Sequence, residues 1–387
     1  MKSQTQLVLS AFALTALPVL GNGFYIPVQA PEATARGNAW LATADSAAAV
    51  YYNAAGLTQL DSPEVVVGTY AILLGLQADI GGKSFKADDS WAFLPQIYAA
   101  VPINDKLVAG FGLNTPFGLG TDWGGSTPFK FLAMETKLTY LTGWTVLGYK
   151  LTDTLSVGGG FGFSYADAKF TKAPAFVGDF SEFVGNDAGL SWTLSALWKP
   201  TEQHSFGLVY RSKTDFNLSG DAQVAGVGEQ NAKLDFMTPS TLGAGYAFTP
   251  CKEWSFEANI EWVNWDELNS LNLTKASGNQ SIPFNWNSNF IYSVGATRFL
   301  ENGWNVSAGY NYIENSMPDS TYNPGVSDAN RHWLNAGVGR KFENFKWNFA
   351  YQYAFSDRNV SGSQFGLADG KYKSRFHGIM LDCNWQF

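Results

Sequence analysis

Charge is scarce in this 387-residue chain: Asp, Glu, Lys and Arg together make up 15% of it, against roughly 25% in soluble domains. Cysteine is nearly absent, with only Cys251 and Cys383. Cys251 falls in a turn pattern and Cys383 on an apolar strand face, so two unpaired thiols are expected rather than a disulfide framework. The three histidines, His204, His332 and His377, add too little to form a metal cluster of recognisable spacing. No nucleophile–base motif surrounds His204 or His332, so neither a cofactor, a metal nor enzyme chemistry is expected. Acids outnumber bases 33 to 25, a net charge of −8, which argues against a nucleic-acid partner. Beyond the N-terminus, no apolar run approaches the ~20 residues a membrane helix needs.

Aromatic residues are plentiful at 16%, with 14 Trp, 17 Tyr and 29 Phe, alongside 40 Gly. Mean hydropathy is nonetheless near neutral at −0.11. The final residues show how these numbers fit together. Ile379, Leu381, Cys383, Trp385 and Phe387 fall on one face of an extended strand, while Met380, Asp382, Asn384 and Gln386 fall on the other. A face that apolar needs a cover, and lipid outside with polar groups inside supplies one in a transmembrane barrel. Strand 204–214 follows the same rule, with Phe206, Leu208 and Tyr210 outward and Arg211 and Lys213 inward.

The chain divides into three parts. Lys2 followed by the apolar stretch 7–20, with Val19 and Gly21 as small residues, predicts a secretory signal over 1–21. Residues 22–61 are rich in Ala and lack a period of two, which predicts short helices and coil. From 62 to 387 turn-punctuated extended segments predict fourteen strands. They run over 63–80, 91–102, 106–119, 134–151, 155–170, 188–199, 204–222, 232–248, 253–266, 284–299, 303–314, 329–342, 345–357 and 371–387. Tight turns such as 103–106, 152–154, 200–203, 249–252, 301–303 and 343–344 alternate with longer connections such as 120–130, 172–186, 269–282, 315–327 and 361–370. An even strand number with short turns on one side is an outer-membrane pattern, so the expected fold is all-β: a transmembrane antiparallel β-barrel of 14 strands. A barrel of that size is wide enough to need filling, and residues 22–61 are the natural plug, or hatch.

Several motifs carry a resemblance. Asn22-Gly23-Phe24, Arg36-Gly37-Asn38-Ala39, Asn53-Ala54-Ala55-Gly56-Leu57, Thr115-Pro116-Phe117-Gly118-Leu119, Trp262-Val263-Asn264-Trp265 and the block from Asp328 to Trp333 together resemble the FadL/TodX family of outer-membrane transporters for long-chain fatty acids and other hydrophobic compounds. The resemblance spans nearly the whole mature chain. It departs at Ala54, where the family's plug motif has proline; the local turn is softer for it.

The resemblance implies capture of a hydrophobic small molecule among extracellular loops, an internal pocket, plug rearrangement and a lateral opening in the wall. Gly110, Gly112 and Pro116, with Phe111 between, weaken pairing in the third strand and make it the portal candidate. Glycine there could equally relieve crowding, as Gly158-Gly159-Gly160 does in the fifth strand, and the resemblance favours the portal. Arg211, Lys213 and Arg331 are the inward cations available to a ligand carboxylate, the alternative being partners for carboxylates of the wall. Trp123, Phe129, Phe131, Phe176, Phe180 and Phe183 would line the capture groove or pack on one another. Expected partners beside the substrate are outer-membrane lipid, lipopolysaccharide and, through the terminal Phe387, the barrel assembly machinery. The alternative functions are a general diffusion porin and a structural or adhesive barrel.

Overall fold

A period of two continued over long stretches makes strands, and fourteen of them close on themselves. The computed structural model describes residues 23–88 and 91–387, so the predicted signal, 1–21, lies outside the described residues. The strands are β1 (Glu64–Ile80), β2 (Lys83–Lys86 and Trp91–Pro102), β3 (Leu107–Asn114 and Leu119–Asp122), β4 (Glu135–Lys150) and β5 (Leu155–Thr171). They continue as β6 (Phe180–Trp198), β7 (His204–Arg211 and Thr214–Val224), β8 (Gly228–Thr238 and Thr241–Cys251), β9 (Trp254–Val263 and Ser270–Lys275) and β10 (Gln280–Pro283 and Asn289–Phe299). The last four are β11 (Trp304–Ile313), β12 (Arg331–Lys341), β13 (Phe345–Val360) and β14 (Gly370–Gln386). Each pairs antiparallel with the next, and β14 closes on β1 from Glu64↔Gln386 to Asp79↔Lys371.

The faces follow the predicted alternation. Ile379, Leu381 and Trp385 of β14 point outward, while Met380, Asp382 and Asn384 are buried inside. Cys251 and Cys383 are unpaired. Three expectations need correction. β6 begins at Phe180 rather than 188, and the predicted loop 269–282 is a hairpin of strand. Both extensions rise beyond the apolar band, where lipid no longer imposes an apolar outer face: in 270–275 the alternation is reversed, with Leu271 and Leu273 buried and Asn272 and Thr274 exposed. Nor do connection lengths alternate strictly: the long-loop end also carries tight turns at 81–82 and 225–227. At the first, Gly81 and Gly82 both hold positive φ, 58° and 75°, as a two-residue hairpin turn with right-handed twist demands.

The interior is filled by residues 23–61, nearly all buried. This inner segment contains two short helices, α1 (Pro31–Ala35) and α2 (Ala49–Tyr52), and a 3-10 turn at Ala54–Gln59. Trp40, Leu41, Tyr52 and Leu57 pack on inward Tyr98, Trp144 and Val209 of the wall. Phe24, Tyr25 and Ile26 join a second cluster with Trp265, Trp286 and Tyr322.

Candidate functional site

Polar anchors fasten the inner segment to the wall. Glu257 of β9 accepts hydrogen bonds from the Ala42 N–H at 2.8 Å and from the Thr43 hydroxyl, with Arg36 at 3.7 Å. Two dyads along, Glu261 accepts from the Tyr25 hydroxyl at 2.7 Å and lies 3.8 Å from Arg211. Arg211 donates to the carbonyls of Tyr51 and Tyr52 and sits 4.4 Å over the Tyr51 ring. Glu64 accepts from the Ala47 N–H at 2.6 Å, and Lys346 of β13 pairs with Glu32.

The predicted plug motif is a further attachment. The buried Asn53 amide donates to Leu41 O at 2.7 Å and Ala196 O of β6 at 3.1 Å, while its oxygen accepts from the Ala55 N–H. Gly148 and Gly158 let β4 and β5 approach: a Cβ on Gly158 would meet the Ala55 nitrogen at 2.4 Å. Ala54 opens the 3-10 turn after an Asn53 that is extended, at φ −159° and ψ 98°. That geometry accepts the family's proline, whose φ suits a first helical position. Ala54→Pro is therefore expected to fold and to raise stability by about 0.4–1 kcal/mol through the unfolded chain. Thermal unfolding of the purified barrel checks this; a lower transition temperature would show that the turn needs the Ala54 N–H.

The third strand is interrupted, but not where its glycines stand. Gly110 and Gly112 are paired on both sides, to Ala100 and Tyr98 of β2 and to Val146 and Trp144 of β4. A Cβ on Gly110 would meet Val50 at 2.6 Å and Leu57 at 2.8 Å, so these glycines admit the inner segment. Phe111 between them faces outward. The β2–β3 ladder stops at Ile97↔Leu113, and 115–118, with Pro116 among them, turns inward. There the chain pairs with the start of the inner segment: Ile26 donates to Pro116 O at 2.8 Å and Gly118 to Phe24 O at 2.9 Å, about a Tyr25↔Phe117 bridge. The Gln29 side chain completes the patch, donating to Thr115 O at 2.9 Å and accepting from the Thr115 N–H at 3.2 Å. Beta pairing to β2 is thus replaced by pairing to the inner segment. Contact with β2 resumes at Asp88 N to Asp122 O, 2.8 Å. Gln96 and Thr115 bury side-chain polar atoms there without a hydrogen-bond partner.

A cavity of about 320 Å³ lies among the long loops. Phe131, Phe176, Phe180 and Phe183 line it, as predicted residues, together with Leu271, Phe284 and Tyr322. Trp123 and Phe129 do not: they pack edge to face at 5.2 Å, with the Trp123 indole bonded to Pro324 O. Lys172 in the rim pairs with Asp179 at 3.0 Å. Burial alone would raise the Asp179 carboxyl, but bonds from Lys172, Gln280 and the Ala175 N–H hold it below its usual range.

Aromatic rings connect the cavity to the interrupted strand. Phe284 stacks on Trp286 at 5.2 Å, and Trp286 lies 5.8 Å from Phe24, which lies 6.1 Å from Phe117. Phe236 and Trp265, at 5.1 and 4.8 Å, close the box around Phe24. Gly23 at φ +60° is needed here, since a Cβ would meet Trp286 at 2.4 Å.

Of the predicted cations, Arg211 is committed to the inner segment and Arg331 is fully buried beside Asp328 and Tyr322. Lys213 is not inward. Inward parity passes from Arg211 to Thr214 across the break in β7, so Lys213 turns outward and pairs with Asp215 and Glu267. Gln29, Phe24 and Trp286 carry no motif by themselves, and sequence reasoning missed them. The strongest signal was Gly23-Phe24 within the resemblance.

The family described as outer membrane protein transport protein (OMPP1/FadL/TodX) matches residues 12–379. The chain belongs to this family. Among its relatives, the long-chain fatty acid transport protein of Escherichia coli (strain K12) is 24% identical over 365 residues, covering 78% of this chain and 80% of the relative. The structure is similar to a Pseudomonas aeruginosa FadL homologue, with TM-score 0.85 and 18% identity over 94% of this chain and 100% of the other. It is also similar to the P. putida toluene transporter TodX, with TM-score 0.76 and 16% identity over 92% and 97%. These structural likenesses show the shared barrel fold. As a FadL/TodX family member, the chain is a β-barrel transport protein of the outer membrane.

Proposed function

We propose that this FadL/TodX family protein carries hydrophobic small molecules, fatty acids or hydrocarbons, from the loop cavity into the bilayer through its own wall. The names of its relatives, a long-chain fatty acid transport protein and a toluene transporter, point to that substrate class. The observation that carries the route is the unbroken aromatic series from Phe284 through Trp286 and Phe24 to Phe117, ending where β3 loses its ladder. In the proposed sequence a ligand enters the Phe-lined cavity, displaces Phe24 from its box, and so withdraws Phe24–Ile26 from Pro116–Gly118. The plug moves, and the ligand leaves between β2 and β3.

Two physical features support lateral exit. The space beneath the plug, about 920 Å³, is lined by Lys150, Lys199, Lys341, Asp45, Asp61, Asp153 and Glu202, a poor surface for an apolar molecule. Buried unpaired polar atoms on Gln96 and Thr115 leave the closed wall short of its best energy, which lowers the cost of opening. Proteoliposomes test the reading. The purified protein should speed transfer of a fluorescent fatty acid or a hydrocarbon into the membrane while passing few ions or sugars. Free passage of small ions and sugars would replace this function with a diffusion porin.

A further inference from the structure

The outward charges near the extracellular rim are not spread evenly. On β14, Lys371, Lys373 and Arg375 occupy successive outward positions directly above His377. Register places their neighbours. Lys373 stands beside Gln77 of β1, which stands beside Lys86 of β2, and on the other side beside Asp357 of β13. Lys371 stands beside Asp79. Cross-strand partners share a face, so four cations, Lys86, Lys371, Lys373 and Arg375, share this surface with three carboxylates, Asp79, Asp357 and, exposed two residues beyond Lys86, Asp88. Lys373 pairs with Asp79 at 2.9 Å and Arg375 with Asp357 at 3.2 Å.

The patch is net +1 on a chain of net −8. Other rim sectors lean the opposite way among the described residues. Outward on β4–β6 are Glu135, Lys137, Asp167, Lys169 and Glu182, and on β7–β8 Lys213, Asp215, Asp221, Glu229, Lys233 and Asp235.

Beneath the cations runs a belt of rings that marks the edge of the bilayer. Phe355 lies 5.1 Å from His332 and 5.9 Å from Tyr353, and Tyr353 lies 5.2 Å from His377. Arg375 sits 6.0 Å from the Phe355 ring, at the top of this belt. Below it Phe349, Ile379 and Leu381 are outward and apolar. Cation rim, aromatic belt and apolar wall thus follow one another down a single seam.

We propose that the β13–β14–β1–β2 seam binds a phosphorylated glycolipid of the outer leaflet, of the lipid A kind, with its phosphates on Lys371, Lys373, Arg375 and Lys86 and its acyl chains on the apolar wall below. The acids that now hold two of the cations do not oppose this. Exposed ion pairs are weak, and a phosphate offers a stronger acceptor in the same geometry, particularly to arginine. A free phosphate would gain nothing from the wall beneath. An acid-rich sector could reach the same headgroup only through a bridging divalent cation, and this seam needs none.

The test measures retention of bisphosphorylated lipid A by the purified full-length barrel in detergent with EDTA, read by native mass spectrometry. Dephosphorylated lipid A and phosphatidylglycerol are the comparison lipids. The variant Lys86→Gln/Lys371→Gln/Lys373→Gln/Arg375→Gln should lose bound lipid A by about tenfold or more, as several surface cations acting on one headgroup would. Lys137→Gln/Lys169→Gln, in the β4–β5 sector, should retain it. Heat-modifiable mobility in gels reports that each variant is folded, and if the fourfold variant fails to fold, Lys371→Gln/Lys373→Gln is read in its place. Equal retention by the seam variant and the parent would overturn the site. So would equal loss in the β4–β5 control, or equal retention of the dephosphorylated lipid.

Discussion

Replacing residues 23–61 by a short flexible linker is expected to turn a nearly closed barrel into a porin-like channel. A fourteen-stranded barrel approaches the size at which side chains no longer fill the lumen, and here the inner segment does the filling. Single-channel recording in planar bilayers should show a conductance rise from near baseline to a steady open level. Unchanged conductance would mean that the loops, not the inner segment, close the path. Because the deletion also removes much of the internal packing, a gentler variant accompanies it. Arg211→Ala strips Glu261 of its cation and frees the Tyr51 and Tyr52 carbonyls. Breaking a buried pair of this sort costs about 3–5 kcal/mol, so the inner segment should loosen and the channel should flicker open while the barrel persists.

The second large effect concerns the interrupted strand. Tyr25 and Phe117 form the antiparallel bridge between the inner segment and 115–118, with ring centroids 5.2 Å apart. Facing positions in an antiparallel pair lie within disulfide range. Tyr25→Cys/Phe117→Cys, with Cys251 and Cys383 changed to Ser, is expected to lock the segment to the wall when oxidised. Hydrophobic uptake should fall to the level of cells without the protein and return on reduction. The reversal separates a lock from misfolding. Full uptake in the oxidised state would show that ligand passes without withdrawing Phe24–Ile26. Substituting Gly110 or Gly112 by Val would not serve as this test, because the added methyls strike Val50 and Leu57 and disturb the plug rather than the opening.

Much of the barrel was legible in the chain. β14 is the plainest case: outward Ile379 and Leu381 and inward Asp382 and Asn384 follow from a period of two, because lipid and lumen impose opposite demands on adjacent residues. Extensions beyond the lipid have no apolar outer face, and in the 270–283 hairpin the apolar residues Leu271 and Leu273 face inward instead; the hairpin and the early start of β6 do not show the lipid-facing pattern for that reason. Lys213 was misread differently. A bulge between Arg211 and Thr214 shifts parity by one, and a one-residue slip sends a side chain to the other face. The loop aromatics divided along a similar line: Phe131, Phe176, Phe180 and Phe183 face the cavity, whereas Trp123 and Phe129 found partners in each other and in Pro324.

The amino-acid sequence by itself determined an outer-membrane barrel, its fourteen strands and which faces meet lipid, because each strand's surroundings are written locally in the alternation of its own residues. The tertiary structure alone decided where β3 leaves its ladder, that Gln29 and Phe24–Ile26 take the place of β2 there, and that Phe24 stands between the loop cavity and the wall. Those facts join residues nearly ninety positions apart, such as Gln29 and Thr115. Contacts of that span depend on closure of the whole barrel around its inner segment, and no local periodicity carries them.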